Sequence, residues 1–89
     1  MNSNELLKNY REQIDTLDHE IVYLLSRRFA IVNEIWKIKK QNNIPALQKW
    51  RWEELMKNLL EYAKEREVNP DLIKTIWEEI HKEALNIEK

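Results

Sequence analysis

Three cations near one another in sequence carry the clearest chemistry of this chain: Arg11, Arg28 and Lys39. Positions 10, 14, 17, 21, 24, 28, 31, 35 and 38 read Tyr, Ile, Leu, Ile, Leu, Arg, Ile, Ile, Ile. Their steps alternate four and three, the a/d spacing of a helix packed along another helix. Eight of the nine are apolar, and the ninth, Arg28, is permanently charged. Burying an unpaired guanidinium costs several kcal/mol, so Arg28 is expected to meet an anion. A buried acid such as Glu20 or Glu54 is one candidate, and a bound ligand is the other.

Lys39 follows Arg28 by eleven residues, about 20° of helical rotation and about 16–17 Å of rise. Two long side chains leaning toward each other can hold a small dianion across that gap. Arg11 precedes Arg28 by seventeen residues, roughly 25 Å, and cannot reach the same small ligand from the same rod. In an antiparallel pair of such helices, Arg11 of one chain comes opposite Arg28 of the other. Taken by themselves, Arg11 and Lys39 flank the seam and fit equally well as solvated or ion-paired residues. Arg27 and Lys40 are left to solvent.

Other chemistries find little support. The chain has no cysteine, hence no disulfide framework, thiolate nucleophile or cysteine metal cluster. His19 and His81 form no metal-ligand spacing and are expected at the surface. Ser3 and Ser26 have no histidine placed to activate them. Glycine is absent, which removes the loops that cradle phosphates by close backbone approach. Charged residues make up 35% and nearly cancel, to a net charge of −1, which argues against nucleic acid or an anionic membrane as the main partner. Trp36, Trp50, Trp52 and Trp77 fit packing better than ligand stacking. The first residues lack a basic region followed by an apolar run, and no apolar stretch reaches membrane-spanning length; a soluble cytoplasmic protein is expected.

The elements that must position these cations are helices. A chain of 89 residues is one domain, 1–89, small enough to gain from association. Asn2 with Glu5 reads as a capping box. The seam from Leu7 to Ile38 then implies about 35 helical residues, roughly 50 Å. The remaining residues cannot cover such a seam alone, so a second copy of the chain is its expected cover. The Gln41-Asn42-Asn43-Ile44-Pro45 stretch ends this helix. A second helix is expected from Gln48 to about Arg66, with Trp52, Leu55, Met56, Leu59 and Ala63 on one face. Asn69-Pro70-Asp71 opens a third, running to about Ile87, with Ile73, Ile76, Trp77, Ile80, Ala84 and Ile87 inward. The fold class is all-α.

These residues together resemble a known family. Tyr10-Arg11-Glu12-Gln13-Ile14-Asp15-Thr16-Leu17-Asp18, then Leu24-Leu25-Ser26-Arg27-Arg28, Lys37-Ile38-Lys39, Ile44-Pro45-Ala46-Leu47-Gln48 and Arg51 are similar in order and spacing to the all-helical (AroQ-class) chorismate mutases. The resemblance covers nearly the whole chain. It implies an intertwined homodimer of three-helix chains with two active sites, acting on chorismate to give prephenate in phenylalanine and tyrosine biosynthesis.

Carried over residue by residue, Arg28 and the other chain's Arg11 would grip the two substrate carboxylates. Lys39 would donate to the ether oxygen whose bond breaks. Arg51 would lie beside a carboxylate at the mouth, and Gln48 would border the ring. Glu88 takes the last family position. The reaction needs no nucleophile, metal or cofactor, and none is expected; catalysis would come from holding a compact conformer and stabilising charge on the ether oxygen.

The chain departs from the pattern at three positions. Trp52 stands where many members have a glutamate that meets the ring hydroxyl, with Glu53 about 100° away on the helix. Ala84 stands where many have a serine that contacts a carboxylate. Glu88 stands where many have glutamine, and only a protonated Glu88 can donate to the ether oxygen, which implies activity rising toward acidic pH. Rival readings are a 4-amino-4-deoxychorismate mutase or an isochorismate-pyruvate lyase on the same scaffold. A non-catalytic helical dimer is the alternative of a different class.

Overall fold

The computed structural model describes residues 2–89; Met1 lies outside the described residues. They form α1 (Ser3–Gln41), α2 (Lys49–Glu65) and α3 (Pro70–Ile87), with no strand among them. No helix is long and apolar enough to cross a membrane. The chain divides into two compact units, one ending at Ile31 and the other spanning Val32–Lys89.

α1 runs without a break because no proline or glycine interrupts it. Its first turn is capped by Asn2, whose Oδ1 accepts from the Glu5 N–H at 2.9 Å. At the other end the Ile44 N–H reaches back to the Lys39 carbonyl at 2.9 Å, and Asn43 takes a left-handed φ of 55°. That is a Schellman stop, usually given to glycine; asparagine is the next most tolerant residue there.

α2 ends the same way. Val68 N–H donates to the Ala63 carbonyl at 2.8 Å and Glu67 N–H to Lys64 at 3.2 Å, with Glu67 at φ 59°. Here the left-handed position falls on a glutamate, which has no intrinsic tolerance for it. α3 begins as its sequence predicts: Asn69 Oδ1 accepts from Asp71 N–H at 2.9 Å, and Pro70 fills the first helical position.

Within the Val32–Lys89 unit, α2 and α3 pack face to face. Met56 and Ala63 from α2 and Ile80 from α3 are buried, flanked by half-buried Leu55, Leu59, Ile73 and Trp77. The expected inward faces are therefore the observed ones. Ile76 is the exception, 39% exposed, because it lies about 60° round the helix from Ile73, at the edge of the stripe.

α1 presents two apolar stripes where the sequence analysis found one. The a/d seam is exposed in a lone chain, from Tyr10 at 60% to Ile35 at 42%. Beside it Leu25, Phe29, Val32 and Trp36 are half-buried, again at steps of four and three. Arg28 is half-buried while its seam neighbours Leu24 and Ile31 are 56% and 57% exposed. Arg28 keeps its position in the a/d spacing, about 40° from Leu24, and lies about 60° from Leu25 of the second stripe (about 100° per residue).

Candidate active site

Within the Val32–Lys89 unit Lys39 meets Glu88 and the Ala46 carbonyl, and Trp52 meets His81. Lys39 stands in the last turn of α1, where the Schellman stop turns the chain back. Its Nζ donates to the Ala46 carbonyl at 2.7 Å and to both carboxylate oxygens of Glu88 at 3.3 Å. Both side chains are withdrawn from water, 14% exposed for Lys39 and 7% for Glu88. Three acceptor oxygens around one ammonium hold it in a fixed place, in a setting where a charge acts more strongly than in bulk water.

Glu88 caps the C-terminus of α3, its backbone N–H donating to the Ala84 carbonyl at 3.1 Å. That contact is local, whereas its carboxylate meets the Lys39 ammonium 49 residues away in sequence. Gln48 is the N-cap of α2 rather than its first helical residue, and its side chain makes no capping bond. It is half-buried, so its amide is not committed to holding the helix start. Arg51 is exposed on the first turn of α2. Ala84 is half-buried, one turn before Glu88, and offers no polar atom from its side chain.

Trp52 is half-buried and stacked on His81, ring centroids 4.3 Å apart and planes 25° from parallel. This corrects the expectation of a surface His81: α3 turns it inward beside Ile80, and the indole covers its ring. Glu53 is exposed. It does not replace an acid at Trp52, as its 100° offset requires (one residue of helical rotation).

Arg11 and Arg28 belong to the other unit. Arg11 is exposed on α1, whereas Arg28 is half-buried with its Nη1 shielded from solvent. The two acids considered as buried partners for Arg28, Glu20 and Glu54, are both exposed. Arg27 and Lys40 stay at the surface, each over an aromatic ring of its own helix, Tyr23 at 5.9 Å and Trp36 at 5.8 Å.

The sequence pattern missed two features. The Ala46 carbonyl is a backbone group, and no residue type announces it. The pairing of His81 with Trp52 was obscured because neither lies in a motif with the other.

Chorismate mutase type II, as a sequence family, matches residues 10–89. The "T-protein" of Haemophilus influenzae is 27% identical over 84 residues, which is 94% of this chain and 22% of that protein. The "Bifunctional chorismate mutase/prephenate dehydratase" of Aquifex aeolicus is 34% identical over 88 residues, 96% of this chain and 24% of that protein. The chain spans less than a quarter of the length of these curated relatives. With the matched segment running from Tyr10 to the last residue and taking in Arg11, Arg28, Lys39 and Glu88, the chain belongs to the type II chorismate mutase family.

Proposed function

We propose that this chain converts chorismate to prephenate, with Lys39 and Glu88 as the groups acting on the ether oxygen. The observation that carries the reading is the withdrawn Lys39–Glu88 pair, built from the last turn of α1 and the C-cap of α3. In the rearrangement the ether C–O bond breaks while a C–C bond forms between the enolpyruvyl methylene and the ring, all within one molecule. Negative charge grows on the ether oxygen as the C–O bond lengthens. Lys39 Nζ, already fixed by the Ala46 carbonyl, stabilises that charge without reorganising. Protonated Glu88 donates a second hydrogen bond; ionised Glu88 repels the same oxygen and competes for Lys39.

The working unit is an intertwined homodimer in which each 1–89 chain acts as one mutase domain. Support comes from the α1 seam, whose apolar members are all exposed in a single chain. Covering each of these half-exposed side chains is worth on the order of 1 kcal/mol. The second chain also brings Arg11 opposite Arg28, so that two guanidiniums grip the two carboxylates of the substrate. Arg51 and Gln48 border the entrance, with Trp52 and Ala84 along the wall. The enzyme works in the cytoplasm, without a cofactor and without a nucleic-acid or membrane partner.

The 4-amino-4-deoxychorismate reading has one observation in its favour: Trp52, stacked on His81, puts no carboxylate at the ring. Assays with chorismate, 4-amino-4-deoxychorismate and isochorismate side by side separate the three chemistries. Loss of chorismate absorbance is expected with the purified protein, falling by several orders of magnitude in a folded Arg28→Ala variant. Absence of turnover, with Arg28→Ala raising the melting temperature, would make the chain a non-catalytic helical dimer.

A further inference from the structure

Both ends of Lys39 are tied to one short segment of the α1–α2 connection, Ile44 to Ala46. The Lys39 backbone carbonyl accepts from the Ile44 N–H at 2.9 Å, and its ammonium donates to the Ala46 carbonyl at 2.7 Å. Ile44 and Ala46 are half-buried, while Asn43 and Pro45 beside them are exposed. The first bond closes the last turn of α1 and the second holds the tip of the side chain, so the segment works as a clamp. Pro45 lies between the two anchors, and its ring holds φ at about −65°, which leaves little backbone freedom there.

The clamp depends on a single backbone conformation. For the Ile44 N–H to point back at Lys39, the residue before it must be left-handed, and Asn43 is, at φ 55°. A residue that refuses this φ releases Ile44 and carries the Ala46 carbonyl away from Nζ. That carbonyl differs in kind from the Glu88 oxygens, the other acceptors of Lys39. It has no net charge, so it orients the ammonium without cancelling the charge that a developing oxyanion needs.

Resting on the reading that Lys39 acts on the ether oxygen of chorismate, we infer that Asn43 is a positioning residue, whose left-handed turn sets the Lys39 ammonium through the Ala46 carbonyl. It acts through its backbone, so glycine replaces it and a β-branched residue does not. Glu67 supplies an internal control. It holds the same kind of position at the end of α2, φ 59°, where the Val68 N–H returns to the Ala63 carbonyl instead of to Lys39. Asn43→Val and Glu67→Val therefore carry similar backbone penalties, and only the first bears on Lys39.

The test measures steady-state kcat and KM for chorismate in the unmodified protein, Asn43→Val, Asn43→Gly and Glu67→Val, at a temperature where each is folded. In parallel the Lys39 ammonium signal is followed by NMR in isotope-labelled protein and identified by its loss in Lys39→Ala. Asn43→Val is expected to lower kcat about tenfold, with KM changed by less than about twofold, and to shift the ammonium signal. Asn43→Gly keeps both readouts at their unmodified values. Glu67→Val does the same despite a comparable fall in melting temperature. Should Asn43→Val not fold, Asn43→Ala takes its place, with a smaller loss of kcat expected.

An unchanged kcat in Asn43→Val (or in Asn43→Ala where that stands in for it), or an equal loss in Glu67→Val, overturns the role of Asn43. Failure of the unmodified protein to turn over chorismate removes the functional reading instead. The ammonium signal then tests the clamp by itself, and an unmoved signal in Asn43→Val overturns it.

Discussion

Lys39 and Glu88 are separated by 49 residues, yet the ammonium of one lies 3.3 Å from both carboxylate oxygens of the other. A pair this far from water is sensitive to the charge of either member. An ionised Glu88 opposes charge on the ether oxygen, whereas Glu88→Gln supplies a neutral donor beside the Lys39 ammonium and is expected to raise kcat for chorismate about tenfold at pH 7. A kcat at or below that of the unmodified protein excludes Glu88 as a group whose charge opposes the proposed reaction.

Removing Lys39 separates catalysis from folding. Lys39→Ala is expected to lower kcat by roughly 10²–10³, the scale for losing one preorganised donor to a developing oxyanion. It also leaves the Glu88 carboxylate withdrawn from water without its cation, at a cost of roughly 2–3 kcal/mol. Adding Glu88→Gln to Lys39→Ala removes the stranded charge. The double variant is expected to unfold at higher denaturant concentration than Lys39→Ala alone, and to stay equally inactive. Equal midpoints for the two variants would show the pair to be energetically unimportant.

The proposed sharing of each site between two chains has a quantitative signature. Arg11→Ala and Arg28→Ala homodimers are each expected to be inactive. After subunit exchange half the dimers are mixed, and one of the two sites in each carries both arginines. Activity is then restored to about a quarter of the unmodified level. If Arg11 and Arg28 serve the same site from one chain, mixing restores nothing.

The end of α2 carries a removable strain. Glu67 holds a φ of 59° in a chain that has no glycine. Glu67→Gly is expected to stabilise the protein by about 0.5–1 kcal/mol, the left-handed penalty less the added freedom of the unfolded chain. For a domain of this size that is a rise of about 2–8 °C in melting temperature at fixed protein concentration. A fall in melting temperature would show that the glutamate side chain contributes more than its backbone costs.

Helix positions were legible because helices are local. The apolar face of α2, the Asn69-Pro70-Asp71 start and the Asn2 cap all act within four residues, so residue order alone specifies them. The positions of Arg11, Arg28 and Lys39 on α1 were equally legible, since their spacing along the helix does not depend on what packs against it.

Sequence by itself determined an all-helical chain, its family, and the spacing of Arg11, Arg28 and Lys39 along α1. Tertiary structure alone decided that Lys39 meets Glu88 and the Ala46 carbonyl, and that His81 turns inward against Trp52. The physical reason is the reach of the interactions. A helix is fixed by bonds to the next turn, whereas the partner of a side chain at its end depends on how distant helices are rotated and returned, which only packing sets.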